Sequence, residues 1–306
     1  MSTPKTPLRY PGGKHKVWQF IAETIYANNL EGGHYVEPYA GGAGVAIELL
    51  LGEVVSSVHL NDSCPAVFAF WHTVINEPEE LCRKISKAPL TIEEWEKQKK
   101  VYKNPSDYDR IDLGFAMFYL NRCNRSGILS GGVIGGKKQD GFWKMDARFA
   151  KGNLVKRVEK IAKKGSSIKI KNWDAEKYIL QYVSGLPENK LVYCDPPYFS
   201  KADRLYANYY NLDDHVRLSE TIQRSLSNWI VSYDDADLIM ALYKDRQKFT
   251  YSLQYNAASA YKGTEVFIFC DSIFMPSRSE IYSIDNALKN MRLSFDIRMQ
   301  PWSFFV

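Results

Sequence analysis

Short runs of branched and aromatic residues alternate with longer amphipathic stretches over most of this chain. The alternation predicts strands separated by helices. His34-Tyr35-Val36-Glu37, Ser57-Val58-His59-Leu60, Ser167-Ile168-Lys169-Ile170, Leu191-Val192-Tyr193-Cys194 and Trp229-Ile230-Val231-Ser232-Tyr233 read as strands. The stretches 45–51, 173–182 and 237–243 read as helices, and 249–255 with 265–269 as a terminal hairpin. Such an order implies an α/β fold with a doubly wound, mostly parallel sheet and with ligands at the carboxyl ends of its strands.

The alternation fails between residues 77 and 165. Polar, helix-compatible sequence at 78–102 leads through Asn104-Pro105-Ser106-Asp107 to an apolar helix over 111–120, in spite of Gly114. Glycine pairs at 131–132 and 135–136 then predict a hairpin or mobile loops. The chain therefore divides into one domain built from 1–76 and 166–306, and an insertion, 77–165. A length of 306 residues agrees, because it exceeds the size at which one core usually stops growing.

Charge sharpens this division. Fourteen Lys and Arg face three Asp and Glu between Asn121 and Lys171, whereas the whole chain carries only +5, so the remainder is net negative. The basic segment interleaves glycines and aromatics and lacks helical acid–base pairs, which suits a polyanion-facing surface better than a solvated helix face. The first fourteen residues are polar and have no apolar core of the signal-peptide kind, and the best apolar run, 45–55, is too short and too charged to span a bilayer. A cytoplasmic protein with no membrane partner is expected. Five scattered cysteines without CxxC spacing and five histidines without a ligand pattern predict reduced thiols and no metal site.

Candidate chemistry lies at two strand ends. The first is Ala40-Gly41-Gly42-Ala43-Gly44, between a strand and a helix, where missing Cβ atoms let backbone approach a ligand. Asp62 ends the next strand, about 20 residues beyond the glycines, where such folds place a carboxylate on ribose hydroxyls. The spacing is not GxGxxG and there is no Walker lysine, which disfavours a dinucleotide or a triphosphate. The second is Asp195-Pro196-Pro197-Tyr198, a strand end made rigid by two prolines. A carboxylate, a proline carbonyl and an aromatic face within four residues suit a flat ring bearing an amino group.

Taken in order, Leu8-Arg9-Tyr10-Pro11-Gly12-Gly13-Lys14, Val36-Glu37-Pro38-Tyr39-Ala40-Gly41-Gly42-Ala43-Gly44, Leu60-Asn61-Asp62, Phe118-Tyr119-Leu120-Asn121-Arg122 and Tyr193-Cys194-Asp195-Pro196-Pro197-Tyr198 closely resemble the class alpha, Dam-like DNA adenine N6 methyltransferases. The resemblance spans most of the chain. It implies a Rossmann-like, S-adenosylmethionine-dependent catalytic domain, with 77–165 as a smaller inserted target-recognition domain. It implies S-adenosylmethionine as cofactor, met by Tyr10, Lys14, Glu37, Ala40, Gly41, Gly42, Asp62 and Asp195, with Trp173 and Asp174 lining its adenine. Asp195, Pro196, Pro197 and Tyr198 would be catalytic: the Asp195 carboxylate and Pro196 carbonyl accept the two amine hydrogens, and Tyr198 stacks on the flipped base.

Double-stranded DNA is the implied partner, with Asn121, Arg122, Asn124, Arg125, Lys137 and Lys138 as its contacts. A separately acting restriction endonuclease would be a functional partner. The residues after Arg125 depart from the segment that reads GATC in Dam itself, so the recognition sequence stays open. So do N4-cytosine or RNA methylation and, from a different class, a non-catalytic nucleic-acid-binding module on the same fold.

Overall fold

The computed structural model describes residues 5–9, 17–199, 210–256 and 260–276. Tyr10 and Lys14, expected at the cofactor, lie outside them. The sheet contains β1 (His34–Glu37), β2 (Ser57–Asn61), β3 (Ile168–Lys171), β4 (Lys190–Cys194), β5 (Trp229–Asp234), β6 (Gln247–Asn256) and β7 (Ala260–Phe269). Their spatial order is β3-β2-β1-β4-β5-β7-β6. The first five run parallel, while β7 is antiparallel to β5 and pairs with β6 as the expected hairpin.

β4 and β5 are buried along their whole length, which explains their unbroken apolar character: central parallel strands are covered on both faces. From β1 the chain steps outward through α2 (Gly44–Leu51) to β2 and later β3. It then returns beside β1 and runs the other way, from β4 through α9 (Leu212–Ser225) to β5. Right-handed crossovers put helices from the two runs on opposite faces. The strand order thus reverses between β1 and β4, and the crevice at their carboxyl ends is where such sheets bind ligands. Among the described residues α1 (Trp18–Ala27) closes the hairpin end, its Phe20 ring lying 5.1–6.1 Å from the rings of Phe249, Phe267 and Phe269.

The interrupted stretch is helical. α3 (Pro65–Asn76) follows β2, then α4 (Pro78–Lys87), α5 (Ile92–Lys103), α6 (Arg110–Cys123) and α7 (Lys151–Ala162). α6 lies against α3, with Phe70 and Phe118 stacked at 5.8 Å. A Cβ on Gly114 would sit 2.9 Å from the carbonyl oxygen of Ala69, so the glycine that weakens this helix is what lets it approach its neighbour. α4 packs on α7, and buried residues from each of these helices join the core of the sheet in one continuous cluster. Where a hairpin or mobile loops were expected after α6, the chain forms one antiparallel bridge, Asn124 to Val133, closed by turns. α8 (Ala175–Gln181) and α10 (Asp237–Leu242) complete the described helices.

Candidate active site

The glycine loop is held from three sides. Its Gly41 amide donates to Asp62 Oδ2 at 2.8 Å, its Gly41 carbonyl accepts from the Trp71 indole at 2.9 Å, and its Gly42 carbonyl accepts from Thr6 Oγ1 at 2.7 Å. Gly41 has φ +44°, a left-handed conformation that favours glycine, and Ala43 adopts the same φ at the start of α2. A non-glycine residue held there marks a backbone fixed by its surroundings. Glu37 reaches from β1 to the first turn of α2, where its Oε1 accepts from the Ala46 amide at 3.2 Å. Burial, opposed by that bond, pushes its carboxyl up to about 8, so it is mostly protonated near neutrality.

Asp62 sits at the end of β2, one strand over. Its Oδ1 accepts from the Cys64 amide at 2.9 Å, and burial raises its pKa to about 6 against the pull of the two amides. Asn61 makes a two-way clamp with Trp173, accepting its N–H and donating to its carbonyl, both at 3.0 Å. Asn172 adds a 2.6 Å bond to the Asp62 carbonyl. The Trp173 segment is thereby fixed beside Asp62, and the ammonium groups of Lys171 and Lys177 lie 5.3 and 5.1 Å from the centroid of the Trp173 ring. Asp174 Oδ1 is engaged in capping α8 through the Lys177 amide at 3.0 Å.

Asp195 emerges from β4 next to β1. Its Oδ1 accepts from Ser232 Oγ at 2.7 Å, and Ser232 in turn lies 2.8 Å from the Tyr193 hydroxyl. Its charge also helps raise the Glu37 pKa, which ties this loop electrostatically to the glycine loop. Pro196 is buried and Pro197 half-buried. Tyr198 departs from the expected open stacking face: it is only 2% exposed, because its hydroxyl donates to the buried Glu265 of β7 at 2.7 Å. The next residue, Phe199, donates its amide to the buried Asp234 at 3.0 Å. The loop is thus tethered to β5 and β7. Tyr39 and Tyr210 bring their hydroxyls within 3.1 Å nearby. Ser232, Glu265, Asp234 and Tyr210 escaped sequence reasoning, since each earns its place through a partner remote in sequence.

The expected DNA contacts separate into two groups. Asn121, Arg122 and Asn124 are corrected by the structure: all three are buried and their polar atoms serve the protein. Asn121 accepts from the Arg9 amide and donates to the Arg9 carbonyl, both at 2.7 Å, and also donates to the Gly127 carbonyl at 3.1 Å. Arg122 donates through Nε to the Arg148 carbonyl at 2.7 Å, and burial first, then the arginines around it, lower its pKa to about 9. Asn124 accepts from the Trp95 indole at 2.7 Å and donates to the carbonyls of Ile128 and Leu129. The cause is the same throughout: turns and termini of irregular backbone need side-chain partners where they are buried. Arg125, Lys137 and Lys138 stay exposed, with Lys137 paired to Glu96 at 2.6 Å.

No cluster of His, Cys, Asp and Glu able to hold a metal occurs among the described residues, and no helix there is long and apolar enough to cross a membrane. No curated protein sequence matches the chain. Among solved structures, the chain is similar to the rRNA methyltransferase AviRa from Streptomyces viridochromogenes, at 11% identity and TM-score 0.34 over 89% of each chain. It is also similar to protein LPL1258 from Legionella pneumophila str. Philadelphia 1, at 11% identity and TM-score 0.36, covering 94% of this chain and 97% of that one. The decisive match is to a family model over residues 10–258, a span containing the glycine loop, Asp62 and the Asp195 loop. With those elements meeting at the reversal point of the sheet, the chain belongs to the D12 class N6 adenine-specific DNA methyltransferases.

Proposed function

We propose that this methyltransferase transfers the methyl group of S-adenosylmethionine to the N6 amine of an adenine flipped out of double-stranded DNA. The observation that carries the proposal is the placement of Asp195 on a doubly tethered loop at the end of β4, one strand from the glycine loop and two from Asp62. The chain's own groups fit the cofactor. A left-handed glycine allows close backbone approach at Gly41, and Asp62 offers a carboxylate already oriented by two amides, with a second lone pair on each oxygen for a ribose hydroxyl. Trp173, fixed beside it, offers an aromatic face for the cofactor's adenine. When bound, the cofactor supplies an electrophilic methyl group on a positively charged sulfur.

The protein's part is then positioning. An adenine amine is a weak nucleophile because its lone pair is delocalised into the ring. The Asp195 carboxylate and the Pro196 carbonyl accept hydrogen bonds from its two N–H groups and hold the nitrogen in line for attack, which favours a more tetrahedral geometry. The one proton that the methylated nitrogen must lose would leave past Asp195 to solvent. Ser232 holds the carboxylate in turn. Extrusion of the base costs a few kcal/mol, and the surfaces that offset it include the exposed basic part of 121–171. Transfer of labelled methyl groups to duplex DNA tests the reading. Asp195→Ala should lower it by at least a hundredfold while binding of S-adenosylmethionine persists, and modified adenines mapped in DNA from expressing cells should share one sequence context. Activity of the variant within tenfold of wild type would remove Asp195 from its role.

A further inference from the structure

The most exposed large apolar side chains among the described residues are Phe142, at 90%, and Trp143, at 61%. They adjoin each other in a T-shaped pair with ring centroids 5.0 Å apart. Exposed aromatics on a floppy loop would mean little, but this loop is pinned at both ends. Gln139 donates to the Ile134 carbonyl at 2.8 Å and accepts from the Met145 amide at 3.0 Å, while Met145 itself is buried. Gly135, at φ +79°, lets the Trp143 carbonyl come close: a Cβ there would lie 2.7 Å from it. The Arg148 guanidinium sits over the Trp143 ring at 5.9 Å.

The surroundings are cationic. Between Asn121 and Lys151 there are seven Lys and Arg against two Asp, and Arg125, Lys137, Lys138, Lys144 and Arg148 are exposed. A rigid apolar tip framed by positive charge matches a surface that is anionic outside and stacked with aromatic rings inside. Duplex DNA is that surface, and proteins do insert apolar side chains between its base steps. An apolar protein partner would not call for the surrounding charge.

We infer that Phe142 and Trp143 form an aromatic wedge that stacks on nucleobases of the duplex from a tip held rigid by Gln139. The inference rests on the proposed action on duplex DNA and adds the element that opens the base stack. Stacking and phosphate contacts differ in one measurable respect. Phosphate contacts release counterions and fade with salt, whereas base–aromatic stacking does not depend on them. Equilibrium binding to a duplex carrying 2-aminopurine, followed from low to moderate salt, separates the two.

Phe142→Ala with Trp143→Ala should weaken binding roughly ten- to a hundredfold, corresponding to one stacked base, and should diminish the rise in 2-aminopurine fluorescence. The plot of log affinity against log salt should shift in parallel. Lys137→Ala with Lys138→Ala should instead flatten it by roughly 0.9 per lost phosphate contact. Trp143→Phe should keep most of the affinity and Trp143→Leu should not. The exposed positions leave thermal unfolding and S-adenosylmethionine binding as in wild type, which controls for misfolding. A loss below threefold, a changed salt slope for the aromatic pair, or equal rescue by Leu and Phe would overturn aromatic stacking by this tip. Failure of the wild-type protein to methylate a duplex that it binds would refute the proposed function alone; failure to bind duplex at all would refute the wedge too.

Discussion

Replacing Asn121 by Ala distinguishes a DNA contact from a structural clamp. In the structure its side chain makes three hydrogen bonds: two with the backbone of Arg9, 112 positions away, and one with the Gly127 carbonyl. Truncation leaves three backbone groups without their partner. The Arg9 groups lie in a partly buried setting that water can repair in part, while Gly127 is buried. At about 0.5–1.5 kcal/mol for each bond, with up to about 3 for a group left dry, the loss amounts to about 3 kcal/mol. For 306 residues the unfolding entropy is roughly 0.6 kcal/mol per degree, so the melting temperature should fall by about 5 °C if the chain unfolds as one unit. Differential scanning calorimetry measures this. Because Arg9 leads directly into Tyr10 and Lys14, expected cofactor contacts, KM for S-adenosylmethionine should rise as well. A melting shift under 1 °C combined with a tenfold loss of affinity for DNA would refute the clamp and restore Asn121 as a DNA contact.

Other consequences are as specific. Ser232→Ala, which removes the hydroxyl 2.7 Å from Asp195, should lower kcat roughly ten- to a hundredfold with KM for the cofactor unchanged; a shift in KM alone would contradict its role as a positioning residue. Burial raises the Asp62 pKa to about 6 and the ionised form is the better acceptor for ribose hydroxyls, so affinity for S-adenosylmethionine should decline as pH falls through about 6. Asp62→Asn should bind more weakly and lose that dependence in calorimetric titrations from pH 5 to 7. Gly114→Ala should destabilise by about 1–3 kcal/mol in urea, because the added Cβ meets the Ala69 backbone at 2.9 Å and this outweighs the better helix propensity; a stabilised variant would contradict the close contact. His59, bonded at 2.9 Å to both His34 and the Tyr182 hydroxyl, is pushed down to about 4, by burial first and then by His34 and Lys169. Its neutral form is favoured on folding, so stability is lost as pH falls from about 6.5 to 4, by on the order of 2 kcal/mol, and His59→Gln should flatten urea midpoints across that window.

The sequence by itself determined the local elements and the two motifs that end strands. Apolar runs punctuated by Gly and Pro are local signals, so β1, β2, β4, β5 and the terminal hairpin were legible, as was the placement of Asp195 just past β4. Tertiary structure decided which strands adjoin. Only the pairing of β1 with β4, at positions 34–36 and 190–192, brings the glycine loop and Asp195 to one crevice. It also decided which polar side chains face inward. Asn121, Arg122 and Asn124 share the polar character of surface residues, and their burial follows from backbone groups at Arg9, Arg148, Ile128 and Leu129 that needed partners. Ser232 and Glu265 became part of the Asp195 loop in the same way, across 37 and 67 positions from Asp195 and Tyr198. Periodicity and spacing report what a residue does within its own element; a hydrogen bond between distant backbone and side chain exists only once the chain has folded.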